Sequence, residues 1–125
     1  MDRAELIKYI ADIYDTDEEH PWAEYPMHSV FRHTGNRKWF ALLMEIPKSK
    51  LGLSEEGSID VLNVKCDPIL IGSLLAEKGF YPAYHMSKAK WISIALDGSA
   101  DDKEIKWLLD MSYDATKSAS KRRPR

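Results

Sequence analysis

The chain has 125 residues, 44% of them hydrophobic and 30% charged, which fits one domain with a core large enough to need no staples. No apolar run approaches the length of a membrane-spanning helix. The one cysteine, Cys66, excludes an intrachain disulfide and a cysteine-built zinc cluster.

Met1 is followed at once by Asp2, Arg3 and Glu5 with no unbroken apolar run, which does not read as a signal peptide, so with a single cysteine a cytoplasmic protein is expected. The net charge of −2 hides an asymmetry: five of the 18 basic residues fall in residues 117–125, leaving 13 basic against 20 acidic in residues 1–116. A body with a net charge of −7 does not attract nucleic acid as a whole. Binding of that kind would need a local basic surface.

Residues 2–14 read as an amphipathic helix. Asp2 and Glu5 have capping-box spacing, and Leu6, Ile7, Ile10 and Ile13 form an apolar stripe. An acidic connector follows, broken by Pro21 and Pro26. Residues 29–34 and 38–46 read as two strands of a hairpin, with Gly35 and Asn36 expected at the positive φ of a tight turn. Alternation along the second strand places Phe40, Leu42, Met44 and Ile46 on one face and Trp39, Ala41, Leu43 and Glu45 on the other.

A loop over residues 48–57 leads to a third strand at 59–66, rich in Val, Ile and Leu. Asp67 followed by Pro68 signals a helix start, and Gly79 is expected to end that helix. Residues 80–86 and 91–96 read as a second hairpin turning at 87–89, with Ile92, Ile94 and Leu96 facing the core. A last helix opens at Asp101 or Asp102 and aligns Ile105, Leu108, Leu109 and Ser112. Residues 118–125 carry no apolar pattern and are expected to be a disordered basic tail beyond a single domain at 1–117. The fold expected is therefore α+β: a five-stranded, mainly antiparallel sheet with helices packed on it, in the order αβββαββα.

Several segments resemble the MmcQ/YjbR family. They are the run Asn63 to Leu70, the block Tyr81 to Gly98, Glu104-Ile105 and Asp110 to Asp114, with Val30 to His33 and Lys38 to Leu42 upstream. The resemblance covers residues 3–116. It implies a fold similar to CyaY-like α+β sandwiches. It also implies the double-wing arrangement by which that family is often described as DNA-binding, with two hairpins flanking a helix.

The chain holds no Gly-rich phosphate loop, His-Glu-x-x-His or Gly-x-Ser-x-Gly. The four histidines have no metal-ligand spacing, so no catalytic residue, metal or cofactor is expected. Two hairpin tips combine cations with aromatic or hydrogen-bonding side chains. The first offers Arg32, Arg37 and Lys38; the second offers Tyr84, His85, Lys88, Lys90 and Trp91. Lysines can meet phosphates while rings stack on bases. The leading expectation is a monomeric, non-catalytic binding module contacting DNA weakly and without sequence preference. The alternative is an adaptor that holds a small ligand or a protein in an aromatic groove. An enzyme built on Cys66 and His85 is the least supported. A basic strip across both tips favours nucleic acid; a concave aromatic pocket with few lysines favours a ligand.

Overall fold

The computed structural model describes residues 1–117; the basic tail expected at 118–125 lies outside the described residues. Helix α1 (Arg3–Tyr14) begins with the expected capping box. The Asp2 carboxylate accepts the Glu5 N–H at 2.9 Å, and the Glu5 carboxylate accepts the Asp2 N–H at 2.9 Å. Strands β1 (Ser29–Arg32) and β2 (Trp39–Pro47) form the first hairpin. A 3-10 turn (Lys48–Leu51) leads to β3 (Ser58–Lys65), then α2 (Pro68–Leu74). Strands β4 (Phe80–Pro82) and β5 (Trp91–Ala95) precede α3 (Asp102–Thr116). The order is αβββαββα.

The five strands make one sheet, β1-β2-β3-β5-β4, antiparallel throughout. All three helices cover one face. Leu6 and Ile10 of α1, Ile71 and Leu74 of α2, and Ile105, Leu108 and Leu109 of α3 share a core with Leu62, Val64, Ile92 and Ile94. The opposite face carries a second apolar cluster, centred on Leu42, Met44, Ile46 and Val61; Leu51 of the 3-10 turn packs against it, and no α-helix of the described residues covers it.

Strict alternation along β2 does not hold. Phe31 pairs with Ala41 but Arg32 pairs with Trp39, so Phe40 is an extra, bulged residue. One inserted residue reverses side-chain parity before it. Phe40 therefore joins the helix-side core, while Trp39 joins Leu42, Met44 and Ile46 on the open face. The Ser112 hydroxyl of α3 donates to the Phe40 carbonyl at 2.6 Å and accepts the Lys65 N–H at 2.9 Å, which stitches helix to sheet.

The first hairpin turn also differs from expectation. Neither Gly35 nor Asn36 has positive φ; Arg37 does, at 64°. The loop spans four residues, closed by the His33 N–H on the Lys38 carbonyl at 2.9 Å, and a longer loop moves the left-handed residue to its end. Asn36 instead donates to the Thr116 carbonyl at 2.9 Å, beside the bond between His33 Nε2 and Thr116 Oγ1 at 2.8 Å.

Asp67 caps α2 as expected, its carboxylate accepting the Ile69 N–H at 2.9 Å. The helix ends at Leu74 rather than at Gly79. Gly79 (φ +93°) leads directly into β4, and a Cβ there would lie 2.8 Å from Ser99 Oγ and 2.9 Å from the Ala100 nitrogen. Gly79→Ala should therefore cost about 1–3 kcal/mol through strain and crowding together. Thermal denaturation measures it; an unchanged melting temperature would show that the 96–100 turn yields freely.

Candidate functional site

The open face is partly roofed by two segments. The first is the strap that joins α1 to β1. It is held at Glu19, which exchanges backbone hydrogen bonds with Val30 at 2.9 and 3.0 Å. Beyond that bridge it leaves the sheet, turning through a His28 N–H bond to the Tyr25 carbonyl at 2.9 Å. Trp22 of the strap meets Trp39 edge-to-face, ring centroids 5.7 Å apart, and Tyr25 stacks on His28 at 5.0 Å.

The second segment is residues 83–90. The expected strand 80–86 stops at Pro82. Further on, the backbone of Tyr84 is captured by buried side chains rather than by a ladder. Asn63 donates to the Tyr84 carbonyl at 2.8 Å, the Tyr84 N–H donates to Ser93 Oγ at 3.0 Å, and Ser93 donates to Asn63 Oδ1. The ring of bonds is closed, and both Asn63 and Ser93 are fully buried. The next residue, His85, takes φ 62°, and the chain folds over the open face.

Between the two segments lies a groove of about 430 Å³. Trp39, Leu42, Met44 and Ile46 form its floor. Trp22, Tyr25 and His28 make one wall; Tyr84, His85 and Met86 make the other. Among the described residues neither lysine nor arginine lines it. Its size lies within the range of small-ligand sites.

The expected wing residues are partly dispersed. Antiparallel pairing makes the β1–β2 and β4–β5 connections leave the same end of the sheet, with the end of β3 between them. Arg32 and Arg37 do not project freely: both bind Glu19 of the strap at 3.1 Å, and the Arg32 guanidinium sits 5.7 Å over the Trp39 ring. Lys38, Lys88 and Lys90 are exposed. Trp91 is half-buried and pairs across the ladder with Lys65, while Tyr84 and His85 belong to the groove. Sequence reading missed Trp22, Tyr25 and His28, which lie in a proline-broken connector without periodicity. The cluster of aromatics there was the available signal.

Cys66 and His85 are not brought together. Cys66 is buried in the helix-side core, and His85 is on the groove wall of the other face. Burial, reinforced by the Asp67 carboxylate, pushes the Cys66 thiol up, opposite to what a reactive thiolate requires. Thiol titration at neutral pH should label the native protein far more slowly than the denatured chain. Rapid stoichiometric labelling would return Cys66 to consideration. Among the described residues no group of three or more His, Cys, Asp or Glu could hold a metal ion, and no helix is long and apolar enough to cross a membrane.

An antiparallel sheet with helices on one face and an aromatic groove on the other defines an α+β fold with one sheet face given to the helices and one to the groove. The chain belongs to the YjbR family, whose model matches residues 11–115. It is 38% identical over 117 residues to the uncharacterized protein YyaQ of Bacillus subtilis, covering 94% of this chain and 99% of that one. A crystal structure of a Pseudomonas syringae protein, 44% identical, superposes with a TM-score of 0.92 over 94% of this chain and 100% of its own. A Deinococcus radiodurans structure described as a DUF419 domain shares the fold at 20% identity, with a TM-score of 0.70 over 96% of this chain and 82% of its own.

Proposed function

We propose that the protein is a non-catalytic binding module whose groove on the open sheet face holds an apolar or aromatic group of its ligand. The observation that carries this reading is the groove's lining: four aromatic rings, two imidazoles, two thioethers and the aliphatic Leu42, Ile46 and Pro47, with one carboxylate, Glu45, and no lysine or arginine among the described residues. Such concave apolar surfaces bind by area burial and ring packing. The pinned Tyr84 loop pre-forms one wall, which lowers the ordering cost of binding.

The test is a titration with indole as the probe, read at the tryptophan indole N–H resonances. Those of Trp22 and Trp39 should shift, and those of Trp91 and Trp107 should not. Trp39→Ala should weaken binding about tenfold, a loss of roughly 1.4 kcal/mol. Shifts spread evenly over all four tryptophans, or none, would sink the reading.

Duplex DNA is the second reading, favoured by the exposed Lys38, Lys88 and Lys90 at one end of the sheet. With Arg32 and Arg37 engaged by Glu19, three phosphate contacts are expected. Log K should then fall with log salt at a slope of about −2.7. Lys88→Ala with Lys90→Ala should flatten the slope by about two contacts. Absence of binding at low salt would eliminate this reading.

A further inference from the structure

The groove exists because the strap parts from β2, and the parting leaves a strand edge open. Pairing of β1 with β2 ends at Ser29 opposite Leu43, whereas β2 continues to Pro47 along β3. Val30 spends its N–H and carbonyl on Glu19, so the β1–β2 ladder is carried by the flanking pairs, Ser29 with Leu43 and Phe31 with Ala41. Backbone groups on a strand alternate in direction. Leu43 points toward β1, so the next residue pointing that way is Glu45, where β1 has already ended. Met27, which continued register would have set opposite Glu45, makes no ladder pair with it: its carbonyl accepts from Arg3 Nη2 at 2.8 Å instead. Met44, Glu45, Ile46 and Pro47 all border the groove.

We infer that an extended peptide adds to the sheet at Glu45, exchanging main-chain hydrogen bonds with the Glu45 N–H and carbonyl while an apolar side chain enters the groove. This deepens the groove reading and rests on it. Strand addition obtains affinity from main-chain bonds and selectivity from a pocket for alternate side chains, and both are adjacent here. The edge is too short to recruit a long strand. Pro47 lacks an N–H and limits the pairing, which suits a segment of a few residues rather than open-ended association. Charge selects the peptide's flanks. Glu24, beside Tyr25 in the strap, and Glu45 are both exposed acids, no lysine or arginine among the described residues lines the groove, and residues 1–116 carry a net charge of −7. The occupant is therefore a short extended peptide with an apolar anchor and basic flanks.

The probe is the capped pentapeptide acetyl-Lys-Val-Leu-Val-Lys-amide, titrated into the full chain. Expected are a downfield shift and slowed exchange of the Glu45 amide together with shifts at the Trp22 and Trp39 indoles. N-methylation of the central leucine keeps every side chain but removes the donor, and should weaken binding at least about tenfold. Glu45→Pro removes the outward N–H without touching the β3 ladder and should produce a comparable loss with the remaining spectrum retained. Equal binding of the methylated peptide, with Trp22 and Trp39 still shifting, would overturn strand addition and leave the groove reading standing. Silence at Trp22 and Trp39 with both the peptide and indole would overturn both. Glu45 shifts that grow with protein concentration alone would identify a second copy as the occupant and also overturn the inference.

Discussion

Leu108→Ala should destabilise the protein by about 2–5 kcal/mol, a large share of the roughly 5–15 kcal/mol that holds a domain of this size. Leu108 is fully buried, on the face of α3 that packs across β2 and β3, beside Ile105 and Leu109. Truncation removes transfer free energy and leaves a void that helix and sheet can close only in part. Leu108→Met should cost under about 1.5 kcal/mol, because volume is conserved. The neighbouring residue supplies the internal control. Trp107 is 49% exposed, so Trp107→Ala should cost less than Leu108→Ala although it deletes a larger side chain. Chemical denaturation of the three variants decides the matter; the reverse order would mean that the helix is rotated from this register.

Asn63→Ala should cost about 1–3 kcal/mol for the stranded Tyr84 carbonyl, with a further loss from the space left behind. Asn63, Ser93 and the Tyr84 backbone each donate once and accept once, so removing one member breaks the whole ring. The local consequence matters more than the global one. Residues 83–90 should lose hydrogen-exchange protection, and the groove should lose a wall, so peptide and indole binding should both weaken. Asn63→Asp sharpens the test. At neutral pH the new carboxylate would be buried without its charge compensated, and it would face the Tyr84 carbonyl with no donor. Burial raises a carboxyl's folded pKa above its unfolded value of about 3.9. In that window the folded state binds more protons, so stability falls as pH rises. The variant should therefore be least stable at neutral pH and recover as pH falls toward about 4, where the protonated acid can donate to Tyr84. A pH-independent deficit would indicate that the loop is held by other contacts.

Much of the secondary structure was legible because its causes are local. Asp2 with Glu5 and Asp67 with Pro68 mark helix starts through hydrogen bonds spanning two or three residues. The stripe of Ile105, Leu108, Leu109 and Ser112 follows from helical period alone, and its burial agrees. Ile92, Ile94 and Leu96 face the helix layer as alternation required. Composition and capping thus determined the class of fold, the order of its elements and the placement of most of the core.

What tertiary structure decided was every feature that depends on a partner distant in sequence. The bulge at Phe40 exists because Ser112, 72 residues away, satisfies the carbonyl it exposes, and that single residue carries Trp39 to the other face. The 83–90 segment could have extended a hairpin; Asn63 and Ser93 offered its backbone better-placed partners beneath the open face. Arg32 and Arg37 read as free cations until Glu19, from a connector with no pattern of its own, closed on both. The groove itself unites the strap, β2 and the Tyr84 loop, three segments whose proximity is a property of sheet order. Hydrogen bonds and ion pairs of long sequence separation leave no periodicity in the chain, so only the assembled sheet could reveal which face the α-helices leave uncovered.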